Sequence, residues 1–138
     1  MAMHHRLHVH LVWTTRDRVA SLDCGRAAYL SEHLPIIARQ ERARVLAIGL
    51  VTTHLHLLVR IHPTTDLPRL LQRMKGGTAY GINSSAPAAH PALKWAKGYS
   101  VTSVSPGGLE RVLAYVRAQH LRHPTEAIAG WLHPDVIE

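Results

Sequence analysis

His54 and His56 stand two positions apart in the apolar run "VTTHLHLLVRI" (51–61). Successive side chains of an extended chain point to opposite faces, so the two imidazoles share one face while Leu55 and Leu57 point into a core. Adjacent imidazoles are a chelating pair, because a ring nitrogen binds a divalent cation. The plain alternative is two polar residues on a wet sheet face. "RLHVHLVWTT" (6–15) has the same geometry in His8 and His10, so a third ligand and a reacting group must decide between the pairs.

"YVRAQ" (115–119) offers both. Tyr115 and Gln119 are four apart, hence neighbours on one helical face. The apolar stripe of that segment is Leu109, Val112, Leu113 and Val116. Tyr115 lies roughly 120° from its centre and Gln119 roughly 80°, so Tyr115 is not needed as core filling. Taken singly, the pair reads as a partly buried aromatic beside a surface glutamine. Taken together with His54 and His56, it makes a mechanism. A cation held by the two imidazoles and the Gln119 amide oxygen would keep positions open for a phosphate oxygen. Tyr115 would then attack phosphorus, leaving the cut strand on the protein as a phosphotyrosine. The bond energy is conserved, so the strand can be rejoined without ATP. Arg122 falls on the flank of Tyr115, with Arg111 beyond it.

Charge agrees with a phosphate-bearing partner. Sixteen Lys and Arg against nine Asp and Glu give +7, and thirteen of the sixteen are arginine, whose planar donor fork suits phosphate. A basic surface without a particular partner is the competing reading. The 138 residues show no break in composition, which predicts a single domain over 1–138. Apolar runs are interrupted well before membrane-spanning length, and the start "MAMHHRLHVH" lacks signal-peptide organisation. No membrane partner and a cytoplasmic location are therefore expected. Cys24 is single, which excludes an internal disulfide and a cysteine-built zinc site.

The elements that must position these groups follow from periodicity. Residues 7–15 alternate as a first strand. Residues 26–42 have helical spacing, with Leu30, Leu34, Ile37 and Ala38 on one side and Pro35 as a weak point. Residues 44–62 are too long for one strand and split at Thr52–Thr53 into two antiparallel strands. A helix over 65–83 starts with Thr65 or Asp66 as cap and carries Leu67, Leu70, Leu71 and Met74. Residues 84–92 form a loop, 98–105 a fourth strand and 106–122 a further helix; Trp131 docks the tail. The order β-α-β-β-α-β plus a C-terminal helix carrying the tyrosine predicts an α+β, ferredoxin-like sandwich with one sheet face covered by two helices.

With these pieces in order, the chain resembles the HUH-type single-tyrosine transposases, the single-strand DNA transposases of the smallest bacterial insertion sequences. The resemblance runs over about 7–121 on "HLVWTT" (10–15), "HLHLLV" (54–59), "MKGG" (74–77), Trp95 before "GYSVTSVS", and "YVRAQ". It implies His54 and His56 as the HUH histidines, Gln119 as third ligand, Tyr115 as nucleophile and Mg²⁺ or Mn²⁺ as the ion. It further implies a 5′-phosphotyrosine with a free 3′-OH, single-stranded DNA with hairpins at the element's ends as substrate, and a homodimer. Lys75 becomes a candidate DNA backbone contact, with Arg73, Arg111 and Arg122 beside it. His10 falls where the family's first strand carries its histidine, so His8 and His10 are read as near the site or structural. Thr52 and Thr53 depart from the acidic residue or Asn often found just ahead of the first histidine. With no Phe in the chain, base stacking would fall to Tyr80, Tyr99 and Trp95. The tail 122–138 matches nothing.

Other readings are weaker on the same residues. A histidine-triad hydrolase needs a third His where Leu58 or Val12 stands. A two-motif phosphoesterase needs Thr or Ser in place of His10 and His56. A non-catalytic nucleic-acid-binding module lacks paired exposed aromatics on strands one and three. Closest is a domesticated relative acting on chromosomal palindromic repeats; the Gln-x-x-x-His of "QHLRH" leans toward the mobile elements.

Overall fold

A computed structural model describes residues 7–85 and 91–131. In chain order the elements are β1 (Leu7–Thr14), α1 (Cys24–Gln40), β2 (Ala43–Leu50), β3 (His54–Ile61), α2 (Leu67–Ser85), β4 (Ser100–Val104), α3 (Leu109–Arg117) and α4 (Gln119–Arg122). Short 3₁₀ turns fall at Arg16–Arg18, Pro106–Gly108 and Pro124–Glu126. The strands form one antiparallel sheet in the order β2-β3-β1-β4, which is the ferredoxin-like arrangement.

Cross-strand partners share a face, so the register sorts the side chains. His54, His56, Leu58 and Arg60 lie opposite Thr14, Val12, His10 and His8. The other face carries Val9, Leu11, Trp13, Leu55, Leu57 and Val59, packed against Leu30 and Leu34 of α1 and Leu70, Leu71 and Met74 of α2. A smaller core covers the histidine face, where Ala47, Leu58 and Val104 meet Val116, with Val112 and Leu113 at its margin. The sheet is therefore covered by α1 and α2 on one side and by α3 on the other.

Helix boundaries differ from expectation for identifiable reasons. α1 begins two residues early because the Asp23 carboxylate accepts from Arg26 N–H at 2.8 Å, an N-cap. It ends at Gln40, and Arg42 turns out of the helix with φ +60°. Pro35 sits inside α1 without ending it. Of the two candidate caps for α2, Asp66 accepts from Arg69 N–H at 3.1 Å. Thr65 instead ties the preceding turn to the Arg42 carbonyl at 3.0 Å. α2 runs on to Ser85, and residues 86–90 of the expected loop lie outside the described residues. The single helix expected over 106–122 is broken: Ala118 leaves helical geometry (φ −96°, ψ 15°) and separates α3 from α4.

The register shift between Val45 and Ala47 is a β-bulge. One extra residue resets the in–out alternation of β2. Without it Ile48 and Leu50 would face α3. With it, Ala47 and Gly49 lie under α3, opposite Leu58 and His56, while Ile48 and Leu50 join the main core. Two small residues thus leave room for a helix to approach the sheet closely beside His56.

Candidate active site

The approach is closest at Gly49. A Cβ there would overlap the Val116 carbonyl oxygen and lie 2.9 Å from Gln119 Cγ. Glycine is required by contact here. The break at Ala118 then turns Gln119 inward, and its side chain is fully buried. The surface-glutamine reading is therefore wrong, because the helix does not continue past Arg117 with the phase that reading assumed. Gln119 Nε2 donates to the Tyr115 carbonyl at 2.9 Å. Its amide oxygen is shut off from solvent and has no well-formed hydrogen bond. A buried acceptor in that condition is costly unless something fills it.

Three histidines and the tyrosine stand together. The ring centroids of His56 and Tyr115 are 5.6 Å apart, and those of His10 and Tyr115 are 5.8 Å apart, both edge-on. His10 Nε2 meets His56 Nδ1 at 2.8 Å. His54 Nδ1 meets Thr53 Oγ1 at 3.0 Å, and Thr53 Oγ1 donates to Glu126 Oε2 at 2.5 Å. Both imidazoles of the H-x-H pair thus have Nδ1 engaged, which directs any ligation to Nε2. Each has a partner that holds its ring orientation, as metal-bound histidines require.

Protonation states agree. Burial lowers the pKa of His56 to about 3, helped by the nearby His10, His54 and His123. Burial also lowers His54, opposed by the Glu126 carboxylate, furthered by His123 and Arg18, and opposed again by the Gln119 amide. His10 is lowered by burial alone. Neutral imidazoles at neutral pH offer lone pairs to a cation without proton competition. Two neutral imidazoles and a buried amide oxygen beside them are a fitting donor set for a divalent ion.

Tyr115 is half-buried, and the Arg122 guanidinium lies 4.3 Å from its ring centroid, a cation–π contact that holds the ring. Its outer side opens into a groove of about 550 Å³ lined by Arg111, Val112, Ala114, Tyr115, Ala118 and Arg122. Arg111 and Arg122 therefore flank the tyrosine as the helical phase suggested. The other basic candidates sit elsewhere. Arg73 donates to Glu41 at 2.7 Å and to Gln40 at 2.6 Å, on the α1–α2 side of the sheet. Lys75 donates to the Ala96 and Gly98 carbonyls, each at 2.8 Å, and burial lowers its pKa. Those bonds hold the segment entering β4, where Trp95 packs edge-on against Trp13 at 5.9 Å. Among the proposed stacking aromatics, Tyr80 and Tyr99 are exposed and Trp95 is not.

Sequence reading missed Glu126 and gave Thr53 and His123 no role in the site. The His123 ring lies 5.1 Å from that of His54, and Glu126 reaches the site from a turn 73 residues beyond Thr53. Only the Gln119–His123 spacing carried a signal. His8 is buried on the same face, opposite Arg60. Trp131 does dock the tail, packing on the main core beside buried Ile128. Among the described residues no helix is long and apolar enough to cross a membrane.

Comparison with known proteins identifies the family. The family described as "Transposase IS200 like" matches residues 3–119. The chain is 27% identical over 124 residues to the ISDra2 transposase TnpA of Deinococcus radiodurans, covering 84% of this chain and 86% of that protein. A crystal structure of a transposase from Deinococcus radiodurans superposes with a TM-score of 0.67 at 22% identity, covering 94% of this chain and 97% of the other. A REP-associated tyrosine transposase bound to a REP hairpin superposes with a TM-score of 0.68 at 12% identity, covering 96% and 76%. On the family match, which spans most of its length, the chain belongs to the IS200-like transposases.

Proposed function

We propose that the protein cleaves and rejoins single-stranded DNA with Tyr115 as nucleophile and His54, His56 and Gln119 as ligands of Mg²⁺ or Mn²⁺. The observation that carries this reading is the Tyr115 ring standing edge-on to the His56 ring within one chain, with the buried Gln119 amide bonded to the Tyr115 carbonyl and acting on His54. When bound, the ion would supply Lewis-acid polarisation of a phosphate oxygen.

The protein's own residues do the rest. The Tyr115 oxygen attacks phosphorus, the bond from phosphorus to the 3′ oxygen breaks, and the leaving strand takes a proton to become a 3′-OH. The 5′-phosphate remains esterified to Tyr115. Attack by a second 3′-OH reverses the exchange and returns the phenol. Arg122 and Arg111, beside the tyrosine, are placed to carry the negative charge of the strand. The contact between Tyr115 and His56 of the same chain supports a site assembled in cis. Hairpin recognition is supported by the hairpin bound to the REP-associated relative. That same relative supports a second reading, in which the hairpins are chromosomal repeats and not the ends of a mobile element. β4 is an exposed edge strand with Val101, and Tyr99 just before it, open to solvent, which suits pairing with a second copy in a homodimer.

The test is a labelled single-stranded hairpin incubated with the protein and Mg²⁺ or Mn²⁺. A denaturant-resistant adduct is expected, lost in Tyr115→Phe. His54→Ala should stop cleavage while hairpin binding persists. An adduct that survives Tyr115→Phe would remove the nucleophile assignment.

A further inference from the structure

The direction of the hydrogen bonds behind His54 is settled by chemistry. A carboxylate only accepts, so the single hydroxyl proton of Thr53 is committed to Glu126 Oε2. The Thr53 oxygen can then only accept from the imidazole, so the ring proton belongs on His54 Nδ1. With the proton on Nδ1, the lone pair is left on Nε2, the nitrogen on the side of the Gln119 amide.

Glu126 is itself held in place. Its carbonyl accepts from Thr52 N–H at 2.8 Å, and its N–H donates to the His123 carbonyl at 2.9 Å. Ile128, two residues on, is buried in the main core. The tail from α4 to Trp131 therefore returns to the turn between β2 and β3 and delivers one carboxylate beneath the histidine pair. The direct distance from Glu126 Oε2 to His54 Nδ1 is 3.6 Å, longer than a hydrogen bond, so the hydroxyl is the connection.

We infer that Glu126, acting through the Thr53 hydroxyl, is the positioning residue that fixes His54 in its metal-binding tautomer and orientation. The inference rests on the reading of His54 as a metal ligand. The same logic shows an asymmetry between the two ligands. His56 Nδ1 faces another imidazole, His10 Nε2, where either nitrogen can be the donor. His54 has no such freedom.

Two readouts on the full chain test the inference. Ring-nitrogen shifts of ¹⁵N-labelled, EDTA-treated protein report the His54 tautomer, with His54→Ala assigning the signal. The unaltered chain should show the Nδ1–H form. Glu126→Gln, whose amide can donate to Thr53 and reverse the chain of bonds, should lose that preference. Thr53→Val should lose it too, and Thr53→Ser should keep it. Calorimetric titration with Mn²⁺ alone should show affinity falling about 10- to 100-fold in Glu126→Gln and Thr53→Val, and restored in Thr53→Ser. An unchanged Nδ1–H tautomer or unchanged Mn²⁺ affinity in both variants would overturn the inference. Mn²⁺ binding undiminished in His54→Ala would instead overturn the ligand assignment, leaving the ring spectrum to judge the role of Glu126.

Discussion

The imidazoles of the H-x-H pair are buried, and the cost of that burial shows in their titration. His56 is held well below the ordinary value of 6.5, at about 3, by burial. Below pH 6.5 the unfolded chain takes up a proton that the folded chain refuses, so stability falls as pH falls. For His56 the slope is about 1.4 kcal/mol per pH unit until the folded ring also titrates. His54 and His10, lowered in the same direction, add to it. Urea denaturation of EDTA-treated protein should therefore show a midpoint that declines from pH 7 to pH 4, and His56→Asn should flatten the decline. Gly49 is the second residue on which the site depends. Gly49→Ala places a methyl against the Val116 carbonyl and Gln119 Cγ, and overpacking of this kind costs about 1–3 kcal/mol. Weaker Mn²⁺ binding than the stability loss alone produces is expected, because the displaced group is the proposed third ligand.

At the scale of elements, the periodicity of the chain revealed most of the architecture. The β1 alternation, the split of 44–62 at Thr52–Thr53 and the stripes of α1 and α2 are local patterns, set by which face each side chain buries. The histidine pair and the tyrosine–glutamine pair were legible for the same reason, being two spacings that strands and helices turn into shared faces. What was not legible depends on a partner. The bulge at Val45–Ala47 exists because α3 needs small residues beneath it. The break at Ala118 exists because Gln119 is drawn into the sheet. Glu126 belongs to the site only because the tail folds back. α1 contains a local conflict that tertiary packing overrides: Pro35 removes one hydrogen bond inside a helix that the core holds intact. Pro35→Ala should raise unfolding free energy by about 1–3 kcal/mol, read from the denaturation midpoint, with DNA cleavage unaffected.

For the whole molecule, charge and layering act together. Main core and helices α1 and α2 occupy one side of the sheet, while Tyr115, Arg111, Arg122 and the histidines occupy the other. With a net charge of +7, single-strand binding should weaken as salt rises. Each arginine that neutralises a phosphate contributes a slope of about 0.7 in the logarithmic salt plot. Arg111→Ala and Arg122→Ala should each reduce the slope by about that amount in filter-binding titrations, whereas Arg73→Ala, tied to Glu41 on the opposite side, should leave it unchanged. The contact at Gly49 has a mechanical consequence for such a molecule. With backbone resting on backbone there, α3 has no cushion of side chain on which to slide or roll. On the proposed chemistry, a severed strand joined to that helix stays anchored to the body that cut it, and the incoming end must travel to meet it.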